Sequence, residues 1–218
     1  MDAMGKQDLP ALFERLRDVF THQREFLIEL DGKVGDSDLG ITMKKAFVAA
    51  FESVRANTAD SVGKTLQLAG MAIAKAAPST MGTLTATGFM RGGKALVDAG
   101  AITITTPELA AFWAAFLNGV VERGKAQPGD KTLVDVLGPV VASLKSSAQA
   151  AATLPDALSL AATVAAQALE ATKALVAQHG KAACFQEKSI GVQDGGATVV
   201  YFIIDTMRCF VVPSESTL

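Results

Sequence analysis

Leu30-Asp31-Gly32-Lys33-Val34-Gly35-Asp36-Ser37-Asp38-Leu39-Gly40 places three carboxylates within eight residues, at i, i+5 and i+7, among glycines 32, 35 and 40. Amphipathic stretches precede and follow it, so the run reads as a connection between two helices. Acids this close repel one another unless a cation, basic partners or water screens them. The glycines allow backbone angles that turn the carboxylates toward a common point. Hard oxygen ligands without His or Cys suit Mg²⁺ or Ca²⁺ rather than zinc. The same spacing equally describes a solvated acidic loop capping the next helix. An EF-hand is a poor fit: with Asp36 at loop position one, the twelfth position is Phe47, where that motif needs a bidentate Glu.

Upstream, Leu12, Leu16, Val19 and Phe20 fall at i, i+4, i+7 and i+8, with Glu14, Arg15, Arg17 and Asp18 between them. This is one face of a helix, which continues through Phe26, Leu27 and Leu30. Downstream, the pattern predicts a helix from Gly40 to about Arg55, another from Ser61 to Ala77, and a third from Thr83 to Asp98 after the break at Pro78-Ser79-Thr80-Met81-Gly82. Thr106-Pro107 starts a broad apolar helix with its cap at Thr106. Gln127-Pro128-Gly129 ends it. Asp130 then reads as the N-cap of a helix through Leu144, and Leu154-Pro155-Asp156 separates that from an alanine-rich helix ending near His179-Gly180. For Gly195 to Val212, rich in β-branched residues, periodicity does not separate strand from helix, and the helical neighbourhood favours helix.

The expected architecture is all-α: roughly eight helices of similar length on short connections, each antiparallel to the next. No linker or composition shift divides residues 1–218, so one domain is expected. In an up-and-down arrangement the acidic loop, Ser79–Gly82, Gly129–Thr132 and Ser189–Gly196 all lie at one end. Acidic ligands, hydroxyls and glycine amides at helix N-termini on one rim suit a Mg²⁺-bound di- or triphosphate.

Composition limits the alternatives. Hydrophobic residues make up 50% of the 218, charged residues 19%, and the formal net charge is -2. Nothing in that balance draws nucleic acid, and scattered basic residues form no membrane-binding patch. No apolar run is long enough for a membrane span. The N-terminus lacks the apolar core of a signal peptide. Cys184 and Cys209 form no CxxC pair, which fits reduced thiols in the cytoplasm. From Gly124 the chain reads G-x-x-x-x-G, but Asp130 intrudes before Lys131-Thr132, so this is no Walker A loop. His22 and His179 are isolated and read as surface or capping residues. Trp113 and the phenylalanines read as core.

Three segments carry a family resemblance. Leu30-Asp31 through Gly35-Asp36-Ser37-Asp38-Leu39-Gly40-Ile41-Thr42-Met43 resembles the LDxxxGDxDxGxxM signature of the L subunit of bacterial dihydroxyacetone kinase. Arg123 to Thr132 is similar to that family's RGKAxPGDKTM segment, and Glu187 to Thr198 to its GERSIGHQDPGATS segment. The matches keep their order and spacing over nearly the whole chain. The resemblance implies an eight-helix antiparallel barrel holding ADP or ATP at one rim through two Mg²⁺ ions, with Asp31, Asp36 and Asp38 as metal ligands. It places Leu39, Gly40, Ile41 and Thr42 near the phosphates, together with Ser79, Thr80, Met81 and Gly82. Gly124, Leu133, Lys181, Asp194, Gly195 and Gly196 would lie around the nucleotide.

The resemblance also implies partners. A separate K subunit holds dihydroxyacetone or a similar ketose covalently through a histidine, and the L subunit closes over it. In the branch coupled to the phosphotransferase system, a phosphohistidine M subunit recharges a resident nucleotide; in the other branch ATP exchanges freely. No side-chain nucleophile is expected in this chain. Several positions depart from the family pattern: Leu39 stands for His, Met81 for Ser, Pro78-Ser79 for Gly-Gly, Lys181 for Arg and Gly195 for Pro. They leave open a tetrulose as substrate, or a non-catalytic docking homologue that keeps the fold and the metal loop.

Overall fold

The computed structural model describes residues 1–212. Among them nine α-helices run in order: α1 Leu9–His22, α2 Arg24–Gly32, α3 Leu39–Arg55, α4 Val62–Ala76, α5 Thr80–Asp98, α6 Thr106–Gly124, α7 Val134–Gln149, α8 Leu154–Ala171 and α9 Gly195–Val211. From α3 onward each helix packs on the next, and α9 returns to α1, which packs on α3. Eight helices therefore close a ring, with α2 laid against α3 and α9. Glycines record the antiparallel crossings. A Cβ on Gly63 of α4 would meet Val97 of α5, while one on Gly70 would meet Met90. Likewise Gly88 and Gly92 of α5 face Phe116 and Phe112 of α6.

The interior is aromatic and aliphatic. Phe20 stacks on Phe47 with ring centroids 4.2 Å apart, and Phe89 lies edge-on to Phe47, Phe112 and Phe116. Trp113 is fully buried against Phe112 and Phe116. Phe26 and Phe185 depart from the expectation that the phenylalanines are core, being 42% and 37% exposed. No helix among the described residues is long and apolar enough to cross a membrane.

Several expected boundaries move, each for a local reason. The first helix is broken at Gln23, whose ψ of 5° lets the chain turn while Gln23 N still reaches Val19 O and Leu27 N reaches Gln23 O. A one-residue break of this kind leaves the apolar stripe almost in phase, so periodicity conceals it. Ser79 starts α5 three residues early, its Oγ accepting from Gly82 N at 3.0 Å. The cap of α6 is Thr105, not Thr106; Thr105 pairs reciprocally with Glu108, while Thr106 Oγ1 donates to Ala152 O. Asp130 does not cap α7, which begins four residues later at Val134. Lys131 at φ +58° and Gly129 at φ +95° keep the intervening loop non-helical.

Leu154-Pro155-Asp156 opens α8 rather than preceding it, with Thr153 Oγ1 accepting from Asp156 N. That helix ends at Ala171, well before His179, and residues 175–190 form a connection with 3-10 turns over Lys181–Ser189. Met4–Gly5 and Thr103–Ile104 pair as two-residue antiparallel strands, too short to leave a periodic signal. The α9 expectation holds over Gly195–Val211.

Candidate functional site

Asp31 lies in the last turn of α2, and the chain then turns, through Gly35 and through Ser37 at φ +62°, to start α3. One Asp31 oxygen, Oδ2, accepts from the amides of Asp38 at 2.9 Å and Leu39 at 3.3 Å. The loop thus closes on its own first carboxylate. One oxygen from each of Asp31, Asp36 and Asp38 lies within 4.8 Å of the others. Burial first, and the Asp31 charge second, push the Asp38 carboxyl above its usual range. An all-carboxylate donor set of this kind fits a hard divalent cation. Lys181 pairs with Asp36 from across the mouth.

Three other helix N-termini come to the same place. Leu39, at the start of α3, packs against Gly195 at the start of α9, where an added Cβ would stand 2.7 Å from Leu39 Cδ2. A Cβ on Gly196 would lie 3.3 Å from Met81 Sδ of α5 and 3.5 Å from Leu133 Cβ, just before α7. The Leu39 side chain thus lies directly against Gly195. Ser79, Thr80 and Gly82 share the first turn of α5 with Met81, Thr80 being exposed. Gly124 ends α6, and a Cβ there would lie 3.2 Å from Leu84 Cδ2 of α5. Of the remaining pair in α3, Ile41 is exposed and Thr42 buried.

Asp194 caps α9, its Oδ1 accepting from Ala197 N and its own N–H donating to Thr172 Oγ1 at 3.0 Å. Burial, with Asp135 adding to it, pushes its carboxyl up to about 6 despite the Ala197 hydrogen bond and the Lys131 charge. The folded value lies above the ordinary 3.8, so folding takes up a proton between those values. This contribution to stability is therefore full below about pH 4 and is lost as pH rises through 6. Compared with Asp194→Asn, which keeps the cap, the wild type is expected to lose up to ~3 kcal/mol of unfolding free energy between pH 4 and 7. Urea unfolding at both pH values checks this; a difference independent of pH sinks it.

Asp135, which the sequence did not single out, and three residues read from it in other roles complete the mouth. Asp135 accepts from Gly129 N and Thr132 N, folding the loop before α7. Asp130 accepts from Gln127 N and pairs with His179 Nε2 at 2.9 Å, and both contacts hold its carboxyl below the usual range. Lys131 is only 3% exposed. A lysine beside a glycine turn resembles any surface lysine in sequence; only its burial marks it. Cys184 and Cys209 are free and exposed, and His22 is exposed at the end of α1.

Fold and site together define an all-α protein whose polar, glycine-bearing loops gather at one mouth of a helical ring. The chain belongs to the DAK2 domain family, whose model matches residues 33–209. It is 35% identical over 193 residues to the PEP-dependent dihydroxyacetone kinase, ADP-binding subunit DhaL, of Escherichia coli K12, covering 88% of this chain and 91% of that one. It is 31% identical to the L-erythrulose kinase of Pectobacterium atrosepticum over 95% of its own length but 35% of that protein's. The dihydroxyacetone kinase of C. freundii, crystallised in complex with AMP-PNP and Mg²⁺, superposes with a TM-score of 0.69 at 22% identity. That match covers 91% of this chain and 33% of the other, and it shows the shared fold. Thus the chain spans nearly all of the DhaL subunit but about a third of the larger kinases.

Proposed function

We propose that the chain is the ADP- or ATP-binding subunit of a kinase for dihydroxyacetone or a related short ketose. In this reading residues 1–218 form one L-type domain, working in the cytoplasm with a K-type subunit that holds the sugar and, where phosphoenolpyruvate is the donor, an M-type subunit. The observation that carries it is the Asp31, Asp36 and Asp38 cluster, within 4.8 Å, at the mouth where helix N-termini meet. These three carboxylates would hold Mg²⁺, two ions being the full complement, and the metal supplies charge neutralisation on the phosphates.

The chain's own groups bind and orient. The first-turn amides of Gly40 and Ile41 in α3, Thr80 and Met81 in α5, and Gly195 and Gly196 in α9 face an anion, with Leu39, Thr42, Gly82 and the Ser79 hydroxyl beside them. Lys181 adds a cation, while Leu133, Gly124 and Asp194 border the nucleotide. Phosphoryl transfer then rests on positioning and preset electrostatics rather than on a nucleophile of this chain.

Calorimetric titration of ADP and of ATP into the folded chain, with and without Mg²⁺, tests the reading. Mg²⁺-dependent binding is expected. Its absence from nucleotide-free, folded protein would favour a second reading, a docking homologue, for which the apolar Leu39 and Met81 at phosphate-facing positions are the specific observation.

A further inference from the structure

Lys131 is buried at the base of the connection that crosses the mouth. Its Nζ donates to Leu175 O at 3.0 Å and to Ser189 O at 2.7 Å. These two carbonyls mark the two ends of the 175–189 segment, and Lys181, paired with Asp36, lies between them. One ammonium therefore clamps both feet of a strap whose middle reaches the metal triad. Other contacts run the same way: Gln178 N donates to Asp130 O, His179 meets Asp130 Oδ2, and Ser189 Oγ accepts from Ala177 N. Lys131 also stands in the left-handed region at φ +58°, an uncommon conformation for a residue with a side chain. Burial pulls its ammonium below the usual lysine range, and nearby Asp194 opposes that shift. A buried charge with so little carboxylate compensation is an expensive way to satisfy two carbonyls. A simple loop closure would not need it.

We infer that Lys131 is a positioning residue of the nucleotide site: by clamping Leu175 and Ser189 it holds the strap that sets Lys181 over the Asp36 corner of the mouth. This rests on the proposed function for what the mouth binds, but the clamp itself does not. In Lys131→Met the strap loses its feet, so Lys181 no longer has a fixed place. In Lys131→Gln an amide of shorter reach cannot span both carbonyls.

The test has two readouts on the full chain. Limited trypsinolysis, followed by mass spectrometry at Lys181 and Lys188, is expected to speed up about tenfold or more in Lys131→Met, with the cooperative thermal melt retained. ADP–Mg²⁺ affinity, by calorimetry, is expected to fall about tenfold in Lys131→Met, while Lys131→Met/Lys181→Met binds no more weakly than Lys181→Met alone. A merely structural lysine would instead give losses that multiply in the double variant, and that result overturns the positioning role. So does cleavage at the wild-type rate, and so does failure of both Lys131 variants to fold. No ADP–Mg²⁺ binding by the wild type overturns the reading of the site and the positioning role with it; faster cleavage would then still support the clamp.

Discussion

Asp31→Ala is expected to remove Mg²⁺-dependent ADP binding, lowering affinity about a hundredfold or more, whereas Asp31→Asn should lose the metal but keep the loop. The two substitutions separate the two roles of this side chain. Its Oδ2 accepts from Asp38 N and Leu39 N, tying the end of α2 to the start of α3. An asparagine carbonyl can accept both bonds. What it cannot supply is the negative charge that strengthens the hold on a hard divalent ion. Alanine removes charge and acceptor together, so the loop should open and its amides exchange faster. Calorimetry with ADP and Mg²⁺ reads the first effect, and hydrogen exchange at Asp38 and Leu39 reads the second. Wild-type binding by Asp31→Ala would mean that the triad is not the metal site.

Gly40→Ala is expected to cost about 3 kcal/mol of unfolding free energy, a large effect for one methyl group. A Cβ at Gly40 would lie 2.0 Å from Arg24 O and 2.9 Å from Ile28 Cγ1, so α2 and α3 touch backbone to backbone there. A carbonyl inside a helix cannot step aside without moving the helix, and α2 carries Asp31. Gly195→Ala is the contrast. Its nearest neighbour is the Leu39 Cδ2 methyl at 2.7 Å, the flexible end of a side chain. That substitution should cost less than about 1 kcal/mol. Urea unfolding with unchanged m-values checks both. Equal stability of Gly40→Ala and the wild type would contradict the close crossing of α2 and α3.

Much of the site was legible because its signals are local. The Asp31, Asp36 and Asp38 spacing needs only a short loop to bring three carboxylates together, and the structure places them within 4.8 Å. The gathering of the loops that carry Leu39, Met81 and Gly195–Gly196 was legible through the helix count, and Leu133 through the resemblance. It survived an error in that count, because α2 is laid beside the ring rather than inserted into it. Gly124 came from the resemblance alone; in the structure it ends α6 and faces Leu84 of α5. Asp130 misled for a different reason. An Asp after a glycine turn has the form of an N-cap, but its carboxylate goes to Gln127 N and His179, while Asp135, five residues on, organises the loop.

By itself, then, the chain's sequence determined an all-helical protein, the α3 to α9 succession and the acidic loop, because apolar periodicity, caps and carboxylate spacing act within a few residues. Tertiary structure alone decided that α2 lies beside the ring against α3 and α9, that Leu39 packs on Gly195, and that Lys131 is buried between Leu175 and Ser189. Those outcomes depend on contacts between residues far apart in the chain. Whether a leucine meets a glycine, or a lysine meets water or carbonyls, is set by the packing of whole helices and leaves no trace in the neighbouring residues.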